Sequence, residues 1–520
     1  MSAIAADARA GVREWLGLAV LMLPTVLLFL AMTVLFLATP HIAADLNPSS
    51  AELLWINDIY GFMMAGLLVA MGTVGDRIGR RKVLLFGAAL FGVASVAAAL
   101  APDAGLLIAA RAVMGIGAAA IMPSTLSLIS NMFKNDRQRG TAIGLWAASI
   151  SAGVAIGPLV GGLLLESFWW GAALLVGVPV MALVLIFAPM LVPEYQPPRA
   201  GGLDPFSIVL SIATLLPLVY GVKEMAKSGV GAVSVLTILL GLAMGALFVR
   251  RQLRLENPLL DMRLFANRTF SGALAVFLLS AIALGGVYLL FTQYLQLVAG
   301  LSPLESGLWI LPAAIALVIV STISPAIARR VRPAYVIAVG ALFSVAGYLV
   351  MTQVESMGGL PLLIVGFYLL YPGIAPTMAL STNLVIGSAP PEKAGAASAV
   401  NSTASDLGVS LGIALLGSIG AAVYRAQVPS GLPAEAADTL TGALATAERL
   451  PADAAQAMLE PARAAFTGGL NAAGLVAAVL VAAAAVLSVT LLRRVPATGA
   501  PAPAAETPQT PDREAVLTTA

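Results

Sequence analysis

Runs of apolar residues about 20 long, enough to carry a helix across a bilayer core, recur fourteen times along the chain. They lie near 15–38, 53–73, 83–101, 106–128, 140–164, 169–192, 206–222, 230–249, 269–291, 306–327, 333–352, 360–381, 395–424 and 468–492. The pattern predicts an all-α membrane protein with fourteen transmembrane helices. The first run is too long for the core of a secretory leader and has no persuasive cleavage site, so it is expected to stay as the first span.

The basic residues orient these spans. With the N-terminus inside, 22 of the 28 Lys and Arg fall on the cytoplasmic side and five outside (Lys223, Lys227, Arg425, Arg449, Arg463), while Arg111 lies within a helix. This asymmetry follows the positive-inside rule and predicts a multi-pass protein of the cell (inner) membrane with both termini cytoplasmic. Residues 425–467 then form an Ala-rich external loop, expected to be a helical surface hairpin in preference to a mobile lid. The Pro-rich residues 495–520 read as a disordered cytoplasmic tail.

Composition narrows the chemistry. Charged residues are 10% of the chain and hydrophobic ones 59%, far from the roughly 25% charged content of soluble domains. The chain has no Cys, and His41 is its only histidine, which excludes disulfides and thiol catalysis and leaves little for a metal cluster or a Ser-His triad. No metal, cofactor, enzymatic activity or nucleic-acid partner is expected. No Gly-x-x-x-x-Gly-Lys-Ser/Thr run is present to bind ATP.

A weak internal repeat organises the spans. The turn Gly72-Thr73-Val74-Gly75-Asp76-Arg77-Ile78-Gly79-Arg80-Arg81 resembles Ser324-Pro325-Ala326-Ile327-Ala328-Arg329-Arg330-Val331-Arg332. Each sits two helices into one half of the chain, as in transporters built from repeats. The expected layout is a short N-terminus (1–14), a six-helix bundle (15–192), two inserted helices with linkers (193–268), and a second six-helix bundle (269–494).

Three segments carry a family likeness. The turn from Gly72 to Lys82 is similar to the loop signature between spans 2 and 3 of the major facilitator superfamily. Arg111-Ala112-Val113-Met114-Gly115-Ile116-Gly117 resembles the span-4 signature of its proton-coupled members. Gly153-Val154-Ala155-Ile156-Gly157-Pro158-Leu159-Val160-Gly161-Gly162 resembles the span-5 antiporter signature. Over about residues 15–494 the chain looks like the fourteen-span, QacA-like drug:proton antiporters. The resemblance implies a major facilitator fold with alternating access between two bundles, and a monomer that exchanges protons for small amphipathic substrates.

Each motif also has a physical meaning. Gly72 and Gly79 are expected to allow a tight turn, and Asp76 with Arg77, Arg80 and Arg81 to latch cytoplasmic helix ends. Gly153, Gly157, Gly161 and Gly162 permit close helix approach, while Pro158 removes a backbone hydrogen bond, which together suit a hinge. Ionisable groups inside a membrane are functional candidates by default. Asp58 and Arg111 each lie about five residues into a span from outside, at similar depth, and could pair. Asp406 lies near the midplane of span 13, where desolvation suits it to proton binding or to neutralising an organic cation.

The chain departs from the implied pattern in one respect. The usual first-span acid is replaced by Ala31, and further family acids fall on neutral residues around Leu317 and at Asn401 and Ser402. Tyr288, Phe291, Gln293 and Tyr294 could face a cavity and stack on an aromatic cation, the alternative being the lipid-facing or packing role usual for helical aromatics. The function that follows is proton-coupled export of amphipathic compounds, with organic cations favoured. The alternative is export of an endogenous lipid, siderophore or secondary metabolite.

Overall fold

The computed structural model describes residues 10–196, 204–228, 231–255, 258, 260, 262–389, 394–429 and 432–497, apart from scattered side chains, that of Asp406 among them. The expected disordered tail lies almost wholly outside these residues. The first bundle comprises α1 (Val12–Leu46), α2 (Ser50–Ile78), α3 (Arg80–Ala99), α4 (Ala104–Met132), α5 (Asp136–Ser167), and the sixth span, broken into α6 (Trp170–Leu175) and α7 (Gly177–Leu191). Two further helices follow, α8 (Pro205–Ser228) and α9 (Ala232–Gln252).

The second bundle comprises α10 (Arg268–Gln293), α11 (Pro303–Ala328), α12 (Pro333–Met351), α13 (Leu360–Gly373), α14 (Ala375–Gly387), α15 (Ala394–Gln427), α16 (Ala434–Asp438), α17 (Leu440–Ala447) and α18 (Ala452–Leu492). Every predicted span coincides with helix. Among the described residues, twelve helical stretches are long and apolar enough to cross a membrane. The two arms of α2, bent by 52°, make a thirteenth if they are one span, and Pro205–Leu218 is a shorter apolar helix.

Small residues set the packing within each bundle. Gly87 of α3 and Gly117 of α4 approach so closely that a Cβ on either would lie 2.8 Å from the other's carbonyl oxygen. Gly340 and Gly347 of α12 meet Gly373 and Gly366 of α13 in the same way. Such contacts replace the hydrophobic drive that is lost in lipid. Outward-facing apolar side chains such as Val93, Leu342, Phe343 and Val479 remain exposed for the bilayer. The internal repeat has a structural counterpart: helices one and five, three and four, and three and six pack together in both bundles.

The segment 425–467 differs from the expected hairpin. Its second half belongs to α18, which runs unbroken from Ala452 through Pro461 to Leu492, so the last span starts 16 residues before the predicted 468. The first half, α16 and α17, is a packed cap. Ala436, Leu440 and Ala443 are buried, and the Tyr424 hydroxyl donates to the Ala436 carbonyl at 2.7 Å.

The inserted helices are tied at their basic end. Arg251 donates from Nε and Nη2 to both carboxylate oxygens of Asp204 (2.7 and 2.9 Å), and Ser207 Oγ donates to the same carboxylate at 2.6 Å. These bonds, led by Arg251, pull the Asp204 carboxyl down to about 2. A depressed carboxyl stabilises the fold fully above its ordinary value of about 4, and that stabilisation is lost as pH falls from there toward 2. Asp204→Asn is therefore expected to weaken hydrogen-exchange protection of α8 and α9 at pH 7 by about 1 kcal/mol. The gap from the parent protein should close between about pH 4 and 2; a constant gap would remove Asp204 as its source.

Candidate functional site

The basic turn is a compact structure at one end of the first bundle. Gly79 ends α2 with φ +114°, a backbone region suited to glycine. Arg80 Nε donates to Asp76 Oδ1 at 2.8 Å across one helical turn. The chain beyond α7 folds over this turn: Arg81 N–H donates to Glu194 Oε1 (2.9 Å), Arg80 N–H to the Tyr195 carbonyl (2.9 Å), and Gln196 Nε2 to the Arg77 carbonyl. A Cβ on Gly79 would lie 2.8 Å from the Glu194 carboxylate. Arg81 Nη1 reaches the Pro189 and Val192 carbonyls at the C-terminal end of α7, where a cation also meets the negative end of the helix dipole.

Glu194 stands outside every motif, which is why the sequence reading missed it; a lone acid just after a span, facing a basic turn, was the available signal. Gly72 differs from expectation too. It lies within α2 with room for a Cβ, 3.7 Å from Pro123, whereas Gly75 has Arg80 Cδ at 2.8 Å from the corresponding position. The second basic turn mirrors the first, since Arg332 Nη1 donates to the Arg493 carbonyl just after α18. Asp76→Asn is expected to lower transport about tenfold, or about 1.4 kcal/mol, and Glu194→Ala several-fold, both with normal membrane insertion. Efflux normalised to surface protein checks this, and undiminished efflux would reduce the turn to a topology signal.

The glycines of α5 face two partners. Gly153, Gly157 and Gly161, spaced one helical turn apart, lie against Val26, Thr33 and Val34 of α1. Gly162 instead meets the second bundle, where a Cβ would lie 2.6 Å from Leu304 Cα. On α11, Gly307 approaches Pro158, with a Cβ 2.5 Å from its carbonyl oxygen. Pro158 is accommodated inside the continuous helix α5. Around this seam Phe36 of α1 contacts Tyr288 edge-on at 5.5 Å, and Gln296 Nε2 donates to the Leu37 carbonyl at 3.4 Å. These contacts join the bundles at the end opposite the basic turns.

Arg111 is fully buried in the first bundle. Its Nε donates to the Ile56 carbonyl at 3.2 Å, and its guanidinium carbon stands 4.8 Å from the centre of the Tyr60 ring. Asp58 of α2 is 1% exposed in the same bundle. The Ile56 carbonyl is two residues from Asp58, which sets the two buried charges at matching depth in the bundle. Arg111 Nη1 and Nη2 have no hydrogen-bond partner among the described residues. Tyr60 also donates to the Leu28 carbonyl (3.3 Å), linking this cluster to α1.

Asp406 lies on α15, its side chain outside the described residues. Nearby on the same helix, Asn401 Nδ2 donates to Thr382 Oγ1 of α14 at 3.0 Å. The expected cavity aromatics are packed in this conformation. Phe291 stacks on Phe367 at 4.0 Å and is fully buried in the second bundle, and Tyr294 donates to the Glu355 carbonyl at 2.6 Å. Tyr288 lies where the bundles meet, and its buried hydroxyl has no partner among the described residues. Gln293 is half-buried at the end of α10. Polar residues in the middle of α10 are too few, Ser280 alone between Ser271 and Tyr288, to show which side points inward, so sequence could not orient these rings.

Two helical bundles that meet at a seam, with Asp58 and Arg111 buried in the first, have the form of a membrane transporter. The Major Facilitator Superfamily profile matches residues 21–413, and the chain belongs to that family. It is 44% identical over 468 residues to "Multidrug efflux pump LfrA" of Mycolicibacterium smegmatis, covering 89% of this chain and 93% of that protein. It is 37% identical to "Methyl viologen resistance protein SmvA" of Salmonella typhimurium, covering 87% and 93%. Among solved structures, a bacterial homologue of the human lysosomal transporter Spinster superposes with a TM-score of 0.67 at 18% identity, over 93% of this chain and 98% of that one.

Proposed function

We propose that this chain is a proton-coupled exporter of amphipathic organic cations, of the fourteen-span QacA-like kind, working as a monomer in the inner membrane with both termini cytoplasmic. The observation that carries the coupling is the buried Arg111 guanidinium, with Asp58 buried at matching depth. A charge kept inside a membrane bundle costs about 2.5–3.5 kcal/mol on insertion scales, so its retention points to use. The relatives named for multidrug efflux and for resistance to methyl viologen, an aromatic dication, support the substrate class. Asp406 supplies the second carboxyl, binding a proton in one state and facing substrate in the other.

The seam between α5 and α11 is the external gate of an alternating-access cycle in this account, closed here, and the basic turns mark the cytoplasmic side. Purified protein in vesicles carrying a pH gradient tests the proposal. Planar organic cations are expected to dissipate the gradient on addition, while neutral lipids leave it intact. A response to lipids alone would favour an endogenous lipid as substrate.

A further inference from the structure

Helix α2 bends by 52° between two arms, Trp55–Leu68 and Ala70–Ile78, yet it holds no proline. A sharp bend without proline needs another cause, such as glycine or a side chain inserted into the ladder of backbone hydrogen bonds. Both are present one turn before the junction. In a continuous helix the Gly66 carbonyl would accept from the Ala70 N–H, the first amide of the second arm. That carbonyl faces the inserted helix α8, whose Ser211 Oγ donates to it at 3.2 Å.

Helix α8 packs on α2 of the first bundle and on α15 of the second, so it touches both. It holds the first arm of α2 at two levels. Tyr220 stacks on Trp55 with ring centres 6.3 Å apart, and Leu215 and Ile212 flank Gly66 at 3.6 and 3.8 Å from where a Cβ would stand. The second arm leads through Asp76 into the basic turn. Ser211 also has another acceptor, the Ile208 carbonyl 2.8 Å away on its own helix. A hydroxyl that turns between two carbonyls always keeps a partner, so it releases α2 at little cost. The Gly66 carbonyl keeps one as well, because the Ala70 N–H meets it once the arms align. On the alternating-access reading of this chain, we infer that Ser211 is a positioning residue for transport. Donating to Gly66, it holds α2 bent; turning to Ile208, it lets α2 straighten and moves the arm that carries Asp76.

The chain has no native cysteine, so spin labels at Leu53→Cys and Ile78→Cys report the bend through their mutual distance in the full protein. The labelled backbones are about 37 Å apart on a straight helix and about 34 Å apart with the observed bend. Ser211→Ala is expected to lower the ratio of short to long distances about fivefold, the factor for one hydrogen bond of about 1 kcal/mol. Turnover per surface transporter should fall by a similar factor with KM little changed, and Ser211→Thr, which keeps the hydroxyl, should restore both. Gly66→Ala leaves Ser211 in place and meets only ordinary van der Waals contacts, but alanine favours continuous helix. It should shift the distances the same way, which decides the matter if Ser211→Ala folds poorly. Tyr220→Leu removes the other ring contact of α8 and should leave the distances unchanged. The distances are read without substrate or pH gradient, so they test α8 even where proton coupling fails. Unchanged distances in Ser211→Ala and Gly66→Ala would overturn the inference. So would a lengthened α2 with parental turnover, or an equal shift in Tyr220→Leu.

Discussion

Arg111→Met is expected to lower proton-driven export about a hundredfold or more, a loss of at least about 2.7 kcal/mol. The guanidinium is fully buried, held by the Ile56 carbonyl and the Tyr60 ring, with Asp58 buried in the same apolar bundle. Removing one member of a buried charge pair typically costs about 3–5 kcal/mol, because the other is left uncompensated. With the guanidinium gone, proton-driven exchange is expected to stop. Arg111→Lys should restore only part of the rate, since an ammonium cannot reproduce the planar contact with Tyr60. Gradient-driven export measured beside equilibrium ligand binding checks this: export should collapse while binding falls little. A variant with unchanged export and pH dependence would leave the pair a structural feature.

The second large effect is expected at the seam between the bundles. At Gly162 and Gly307 a new Cβ would press on Leu304 Cα and on the Pro158 carbonyl, which are backbone atoms that cannot rotate away. Gly162→Leu and Gly307→Leu should therefore hold the bundles apart at the end opposite the basic turns. Transport is expected to fall at least about tenfold, or about 1.4 kcal/mol, with ligand binding retained. The absence of native cysteine makes the movement measurable. Met32 packs partly buried against the second bundle's core, so a single Met32→Cys should be labelled by an impermeant maleimide from outside faster in either glycine variant. Unchanged labelling and transport would show that the seam is not a gate. Gly157→Leu is different in kind, because it wedges α5 from α1 within one bundle and should lower folded yield first.

Much of the architecture was legible from hydropathy alone, because a bilayer leaves apolar helices few alternatives. Among the described residues the fourteen apolar runs fall on helix, but twelve or thirteen helical stretches there are long and apolar enough to cross a membrane, not fourteen. What hydropathy missed has definite causes. The charges of Glu460 and Arg463 lower the average of any window across them, so the first part of α18 read as an arm of a separate helical hairpin and not as continuous with the last span. Pro372 and Pro376 flank the junction of α13 and α14 within a single apolar run.

At the candidate site, the depth match of Asp58 and Arg111 was readable because helical rise converts sequence position into depth. The role of Glu194 was not, since its contact with Gly79 and Arg81 spans more than a hundred residues of chain. The glycine row of α5 was readable as a packing surface. Its division between α1 and α11 depends on how the bundles dock, which no single-helix pattern encodes.

The most direct test of proton-coupled export is accumulation of a planar organic cation in vesicles with an imposed pH gradient and no nucleotide. The protein should concentrate the cation on the acidic side, and a protonophore should abolish the accumulation. Asp406→Asn should abolish it as well, while leaving some binding of weakly charged ligands. The account is contradicted if accumulation survives collapse of the gradient. It also fails for Asp406 if Asp406→Asn transports with an unchanged pH dependence while Asp58→Asn is inactive, which would leave coupling to the Asp58–Arg111 pair alone.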